Sequence, residues 1–340
     1  MRKIYYGLGL FSVLIIALGF YFYTVIYQTQ TSKDFKVYIT STDTVNDVIQ
    51  KLNPFVDNIN DLKKVISLKK YIKVKPGMYL LKKEMNANEI VNTLRGGKQT
   101  PIKVTFNNQT YIEDLAGRLS QQIEADSISI LNSLTDNHFL REKGFNQKTV
   151  LNICMPYTYD CYWNITPNQL RSKFLKAYER FWNDNREAKA KKLHLSKNEI
   201  ITIASIVHKE TQHKPERKRV AGVYLNRIKR GIPLQADPTV IYALKETKGR
   251  DLVIKRVLNK DLKTKSLYNT YLHKGTPPSA IAMPDVDAID AVLNAEQHPF
   301  IYFCANPEKP GTHNFAKTLR QHNKNARNYQ KWLRKLNINR

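Results

Sequence analysis

Residues 4–27, IYYGLGLFSVLIIALGFYFYTVIY, carry no charged side chain. At about 1.5 Å per residue the run is long enough to cross a hydrocarbon core about 30 Å thick. Tyr5, Tyr6, Tyr21, Tyr23 and Tyr27 crowd its ends, where amphipathic rings prefer the membrane interface. The pattern predicts a transmembrane helix over 4–27. Arg2 and Lys3 precede it, so the positive-inside bias keeps residues 1–3 in the cytoplasm and exports the remainder, with Lys33 and Lys36 opposing from the far side. A cleaved signal peptide competes with this reading. The apolar run is too long for one, and QTQTSK offers no small-x-small cleavage site.

After a short polar linker over 28–34, a strand-then-helix phrase recurs. DFKVYI alternates like a strand and DTVNDVIQKL follows as a capped helix; MYLLKKEMNANEIVNTLRGG repeats the phrase and closes on Gly96 and Gly97. IKVTFNNQTYIEDLAGRLS gives it a third time. Three unequal copies do not make a solenoid. They predict a small α/β module over 35–98, with the third copy opening a larger domain over 99–340.

From about 165 the period changes to that of helices. Leu170, Phe174, Leu175, Tyr178 and Phe181 share one helical face, and their Lys and Arg neighbours form a solvated one. In LSKNEIITIASIVHKET, Ser196 and Glu199 have the capping-box spacing, and Ile200, Ile203, Ala204 and Val207 mark a buried stripe. The next position on that stripe is Glu210 or Thr211. A carboxylate there is costly to ionise, which raises its pKa toward the range of a proton donor near neutrality. The plainer alternative is a helix-end Glu meeting one of many nearby cations. KRVAGVYLNRI then reads as a helix stopped at Gly231, and LQADPTVIYAL as another, with Asp237 as cap and Pro238 at its first position. Short connections fold these helices together, so Asn226, Gln235 and Asp237 are expected to converge on Glu210.

Composition then narrows the partners. The 340 residues hold 55 Lys+Arg against 29 Asp+Glu, a formal charge of +26, with 42% hydrophobic content. This is enough for two domains with real cores. The charge suits nucleic acid, an anionic membrane or an acidic polymer; export of the body argues against nucleic acid. Three cysteines are too few for a disulfide scaffold. Cys154 and Cys161 are open to bridging or to remaining buried thiols.

The motifs now carry a resemblance. IASIVHKET, VAGVYLNRI and LQADPTVIYAL, then YNTYLHKGTPPSAIAMP and THNFAKTLRQHN, are similar in order and spacing to the phrases of the membrane-anchored endolytic murein transglycosylases, the MltG or YceG-like family. The similarity covers roughly residues 35–335. It implies an α+β chain: a transmembrane helix, a LysM-like module, and a mostly helical, lysozyme-like catalytic domain with added strands. It further implies an enzyme, without metal or organic cofactor, that cuts nascent peptidoglycan glycan strands beside the bacterial inner membrane, with wall synthases as partners. Glu210 matches the family's catalytic acid and base. Asn226, Gln235, Asp237, Thr239, Tyr268, Asn269, Tyr271, His313 and Asn323 match motif positions and are candidate substrate-binding residues.

Two positions depart from the family pattern. His208 stands where a first Glu is usual, and Tyr157 where an Asp is usual. Two residues from Glu210 on a helix, His208 is expected to point elsewhere, toward the surface, so His208→Glu should matter little. One carboxyl group suffices for a lytic transglycosylase, because the sugar's own C6 hydroxyl is the nucleophile. A glycoside hydrolase needs a second. The H-x-E of HKE also occurs in zinc deaminases, but their P-C-x-x-C is missing. A non-catalytic wall-binding scaffold is the rival from a different class.

The uncleaved anchor gives a first expectation. N-terminal sequencing of the purified mature protein should begin before Ile4, and a start beyond Gln28 would refute the anchor.

Overall fold

The computed structural model describes residues 2–336, and side chains from Tyr6 onward. The charges of Arg2 and Lys3 and the ring of Tyr5 therefore lie outside the described side chains. The protein is helix-rich, with few and short strands. Packing divides it into two units, one of residues 1–104, 119–126 and 158–166, the other of 105–118, 127–157 and 167–340. No single cut separates them, since two short stretches of the later chain return to the first.

The first unit opens with α1 (Arg2–Tyr27). Its segment Tyr6–Tyr27 is long and apolar enough to cross a membrane. β1 (Phe35–Ile39), α2 (Val45–Leu52), α3 (Ile59–Leu68), β2 (Gly77–Leu81) and α4 (Ala87–Gly96) follow, then β3 (Ile102–Val104). β1 and β2 pair antiparallel from Phe35↔Leu81 to Ile39↔Gly77. The alternation expected of DFKVYI places Phe35, Val37 and Ile39 in the core while Lys36 and Tyr38 face outward. Thr44 and Asn86 cap α2 and α4 through full capping boxes, and Gly97 ends α4 in the left-handed region at φ 67°. The third strand-helix copy differs, because β3 pairs with β4 (Tyr159–Cys161) in a separate ribbon. The segment 28–34 is more than a polar linker. Gln30 and Thr31 are buried, and Thr31 Oγ1 donates to Lys82 O at 2.7 Å.

The second unit holds most of α5 (Ile112–Ser120, whose last two residues belong to the first unit), α6 (Ser127–Leu134), α7 (Asn137–Glu142), α8 (Pro167–Phe181), α9 (Asp184–Lys192) and α10 (Lys197–Glu210). It continues through α11 (Arg217–Lys229), α12 (Asp237–Lys248), α13 (Val286–Leu293), the β5 (Tyr302–Ala305) and β6 (His313–Ala316) hairpin, and α14 (Leu319–Lys335). α10 is the centre. The expected single stripe is replaced by burial on every side, from Ile200 through His208, beneath α9, α11, α12 and α13. Ser196 and Glu199 form the capping box at its start. Of its two buried hydroxyl residues, Ser205 donates its Oγ proton to Thr202 O and accepts from Ile281 N, while the Thr202 hydroxyl is buried without a hydrogen-bond partner. All three cysteines are free thiols.

Such close packing explains a glycine in the middle of α11. A Cβ on Gly222 would stand 2.5 Å from Glu296 O and 2.6 Å from His298 Nε2. Gly222→Ala gains up to about 1 kcal/mol of helix propensity, yet it should lower stability by about 1–3 kcal/mol through overpacking. Denaturant unfolding checks this; a raised midpoint would refute it.

Candidate active site

Glu210 is the last residue of α10, where the buried helix comes out of the core and the chain turns at Thr211. One carboxyl oxygen, Oε1, accepts from Tyr224 Oη at 2.7 Å. Tyr224 is buried on α11, with its ring edge-on to Phe303 of β5 at 5.9 Å between centroids. Desolvation pushes the Glu210 carboxyl up to about 7, against the Tyr224 hydrogen bond that favours the charged form; Asp237 adds to the rise and His313 opposes it. The negative end of the α10 dipole acts in the same direction as burial.

Asp237 and Tyr271 lie close enough to Glu210 to interact with it electrostatically. Asp237 is not the helix cap expected of it. Ala236 occupies the cap position, Asp237 is the first helical residue, and no side chain caps the helix. Its carboxylate instead accepts from Tyr271 Oη at 2.6 Å. Burial raises the Tyr271 hydroxyl well above its ordinary value, reinforced by Asp237 and Glu210. His313, on β6, also interacts electrostatically with Glu210. Its Nδ1 lies 2.7 Å from Glu216 Oε2, and its backbone N–H donates to Glu216 Oε1 at 2.9 Å. Glu216 just precedes α11, so one acid fixes both the backbone and the ring of His313.

The other expected residues build the frame. Asn226 donates to the carbonyls of His298 and Phe300, which lead into β5. Gln235 takes φ 52°, and its Oε1 accepts from Arg227 Nη1 at 3.1 Å. Thr239 is fully buried against Thr270, hydroxyl to hydroxyl at 2.8 Å. Asn269 donates to Leu262 O and Thr264 O and accepts from Tyr271 N, so it shapes the loop that presents Tyr271. Tyr268 turns away to Ser279 Oγ, 2.7 Å from its hydroxyl. Asn323 lies exposed on α14.

Tyr224 and Glu216 were not singled out in the sequence. The available signal was a tyrosine on a buried helix face, whose hydroxyl needs a partner. His208 corrects the surface expectation. It is buried, with Nδ1 3.2 Å from Asp285 Oδ2, in a cluster with the fully buried Arg217, which bridges Asp285 and Asp287. Burial holds its imidazole below the ordinary value despite Asp285. His208→Glu would therefore place a third carboxylate beside two. Tyr157 is partly exposed, and burial raises its hydroxyl. Two open cavities, of about 490 and 530 Å³, occur elsewhere in this unit, and neither is lined by Glu210.

A sequence profile of the YceG-like family matches residues 37–328. The chain belongs to the YceG-like family. A Bacillus subtilis (strain 168) relative named endolytic murein transglycosylase is 29% identical over 268 residues, covering 74% of this chain and 72% of the relative. A Streptococcus pneumoniae (serotype 2, strain D39) protein of the same name is 26% identical over 284 residues, 76% of this chain; the chain spans about half, 51%, of that longer relative. The 2.6 Å crystal structure of a putative yceG-like protein from Listeria monocytogenes superposes with a TM-score of 0.56 at 26% identity, covering 86% of this chain and 99% of that one. This YceG-like chain thus has both the family's sequence profile and its fold.

The Glu210 geometry sets a sign for pH effects. Its folded value, about 7, exceeds the ordinary 4.5. The stability linked to it is therefore complete below the ordinary value and is lost as pH rises through about 7. Glu210→Gln should gain in Tm relative to the parent between pH 5 and pH 8. Tyr224→Phe removes a bond to the charged form and should move the Glu210 titration higher, as read by carboxyl ¹³C shifts. A downward move would contradict the assigned role of Tyr224.

Proposed function

We propose that this protein is an endolytic peptidoglycan lytic transglycosylase. It cleaves the MurNAc–GlcNAc bond of nascent glycan strands near the membrane and so limits strand length. The observation that carries the reading is the Glu210 carboxyl, neutral up to about pH 7, at the meeting point of three elements of a YceG-like fold. Relatives named endolytic murein transglycosylase support the same reaction class.

The chemistry follows from the hydrogen bonds. Tyr224 occupies Oε1, which leaves Oε2 to carry the proton. Glu210 donates that proton to the glycosidic oxygen as the bond to C1 breaks, then takes the proton of the C6 hydroxyl as it closes on C1. The same carboxyl group serves as acid and base. No water is consumed, and the new end is 1,6-anhydro-MurNAc. Asp237, held by Tyr271, faces the developing positive charge at C1, where a carboxylate stabilises an oxocarbenium-like transition state. His313, held by Glu216, is placed to orient the substrate.

The remaining assignments belong to the same proposal. Residues 35–98 act as a LysM-like module that binds glycan, and 99–340 as the lysozyme-like catalytic domain. α1 is a single-pass anchor in the cytoplasmic membrane with the body outside, beside the wall synthases of elongation or division.

Digestion in ¹⁸O-labelled water tests the reaction. Mass spectrometry should find unlabelled anhydro ends, each lighter by one water than a hydrolytic product. Glu210→Gln should reduce their formation by about 10²–10⁴-fold. Label at the new reducing end would make the protein a hydrolase with Asp237 as second carboxylate. Absence of cleavage by the anchored wild type on uncrosslinked glycan would favour the scaffold.

A further inference from the structure

α1 does not end in open solvent. Val25 is buried in the core of the first unit, and α1 packs on α3 and α4. The direction of α3 beside it can be read from two contacts. At the start of α3, Asp57 N donates to Gln30 O and Asn58 N to Gln30 Oε1, just beyond the end of α1. One and a half turns along, Lys64 Nζ donates to Tyr21 Oη at 2.6 Å and lies 5.0 Å from the centre of that ring. As α3 advances from 58 to 64, its neighbours on α1 retreat from 30 to 21. The helices are antiparallel, so α3 runs back along the last turns of the uncharged run, where Val25 already belongs to the core of the first unit, toward the exposed part of α1 that precedes it.

Beyond Lys64, α3 continues for one more turn, about 6 Å. It ends on Leu68, which is 57% exposed. The chain then reverses: Lys69 N and Lys70 N donate to Val65 O and Ser67 O, and Lys70 takes φ 49°. Tyr71 folds back into the core, its N–H donating to Ile66 O, and this forces Ile72 outward to 85% exposure. Leu68 and Ile72 are therefore displayed by a well-bonded turn. Lys63, Lys70 and Lys73 stand near them in the chain and are exposed, while Lys64 is held by Asp61 Oδ1 at 2.9 Å. Exposed apolar tips with ammonium groups close in the chain match the boundary between hydrocarbon and anionic headgroups.

We infer that the turn Leu68–Lys73 is a second membrane contact: Leu68 and Ile72 enter the interface of the bilayer that α1 spans, and Lys63, Lys70 and Lys73 meet lipid phosphates. This rests on the reading of α1 as the anchor. It adds that the first unit is seated on the membrane in one orientation, since two points of contact restrain tilting about the helix axis.

Depth measurements on the full chain in phosphatidylcholine–phosphatidylglycerol vesicles test it. Spin labels are placed singly by Ile72→Cys, Leu14→Cys and Thr42→Cys, with Cys304, the partly exposed cysteine, replaced by alanine. Collision with oxygen should exceed collision with a water-soluble nickel chelate at 72 and at 14, and the order should invert at 42. A lipid-like signal at 14 with a water-like signal at 72 overturns the second contact and leaves the anchor standing. A water-like signal at 14 overturns both. A signal at 72 that stays lipid-like without phosphatidylglycerol but weakens in Leu68→Asp supports the apolar tips as the inserting group; an unchanged signal in Leu68→Asp overturns that assignment.

Discussion

The cost of ionising a carboxyl group at the end of a fully buried helix is the constraint on which the site depends. Burying α10 on every side makes Glu210 hard to charge, and the protein then has to prevent the easiest escape, a cation beside it. In a chain of net charge +26 this is not trivial. The two buried guanidinium groups of α11 are both occupied. Arg217 is held by Asp285, Asp287 and Thr211 O. Arg227 is spent on the carbonyls of Ile301, Pro233 and Leu234 and on Gln235. What reaches Glu210 is a neutral donor, Tyr224, which moderates the shift without abolishing it.

The same bonds that occupy these cations assemble the rest of the site. Arg227 and Asn226 join α11 to the segment entering β5, so the hairpin that carries His313 is fixed to the helix that carries Tyr224. Thr239 and Thr270 join the start of α12 to the loop presenting Tyr271, and that loop returns a hydroxyl to Asp237. Asn226, Gln235, Thr239 and Asn269, candidate substrate-binding positions, also hold this frame together through their hydrogen bonds. Loss of any of them would loosen the site through geometry.

Relatives at 26–29% identity cover about three quarters of this chain, 74% and 76%. His208 shows how a departure is absorbed: an imidazole beside Asp285 and Arg217 fills a site that borders on two carboxylates and a guanidinium, away from the Tyr224–Glu210 bond.

Local patterns determined much of this protein. The uncharged run, the alternation in β1, the capping boxes of α2, α4 and α10, and the boundaries around Gly97 all follow from short-range preferences for burial and for satisfied backbone groups. Glu210 was legible too, because a carboxyl group closing an apolar run is a local anomaly. Tertiary structure decided what periodicity cannot express. Whether α10 has one buried face or all of them depends on how many helices pack on it. Whether Asp237 caps its own helix or receives Tyr271, and whether His208 meets water or Asp285, depends on partners 34 and 77 residues away in the chain. A side chain's partner is set by whichever distant segment supplies the better hydrogen bond in the folded state, and no window of neighbouring residues contains that information.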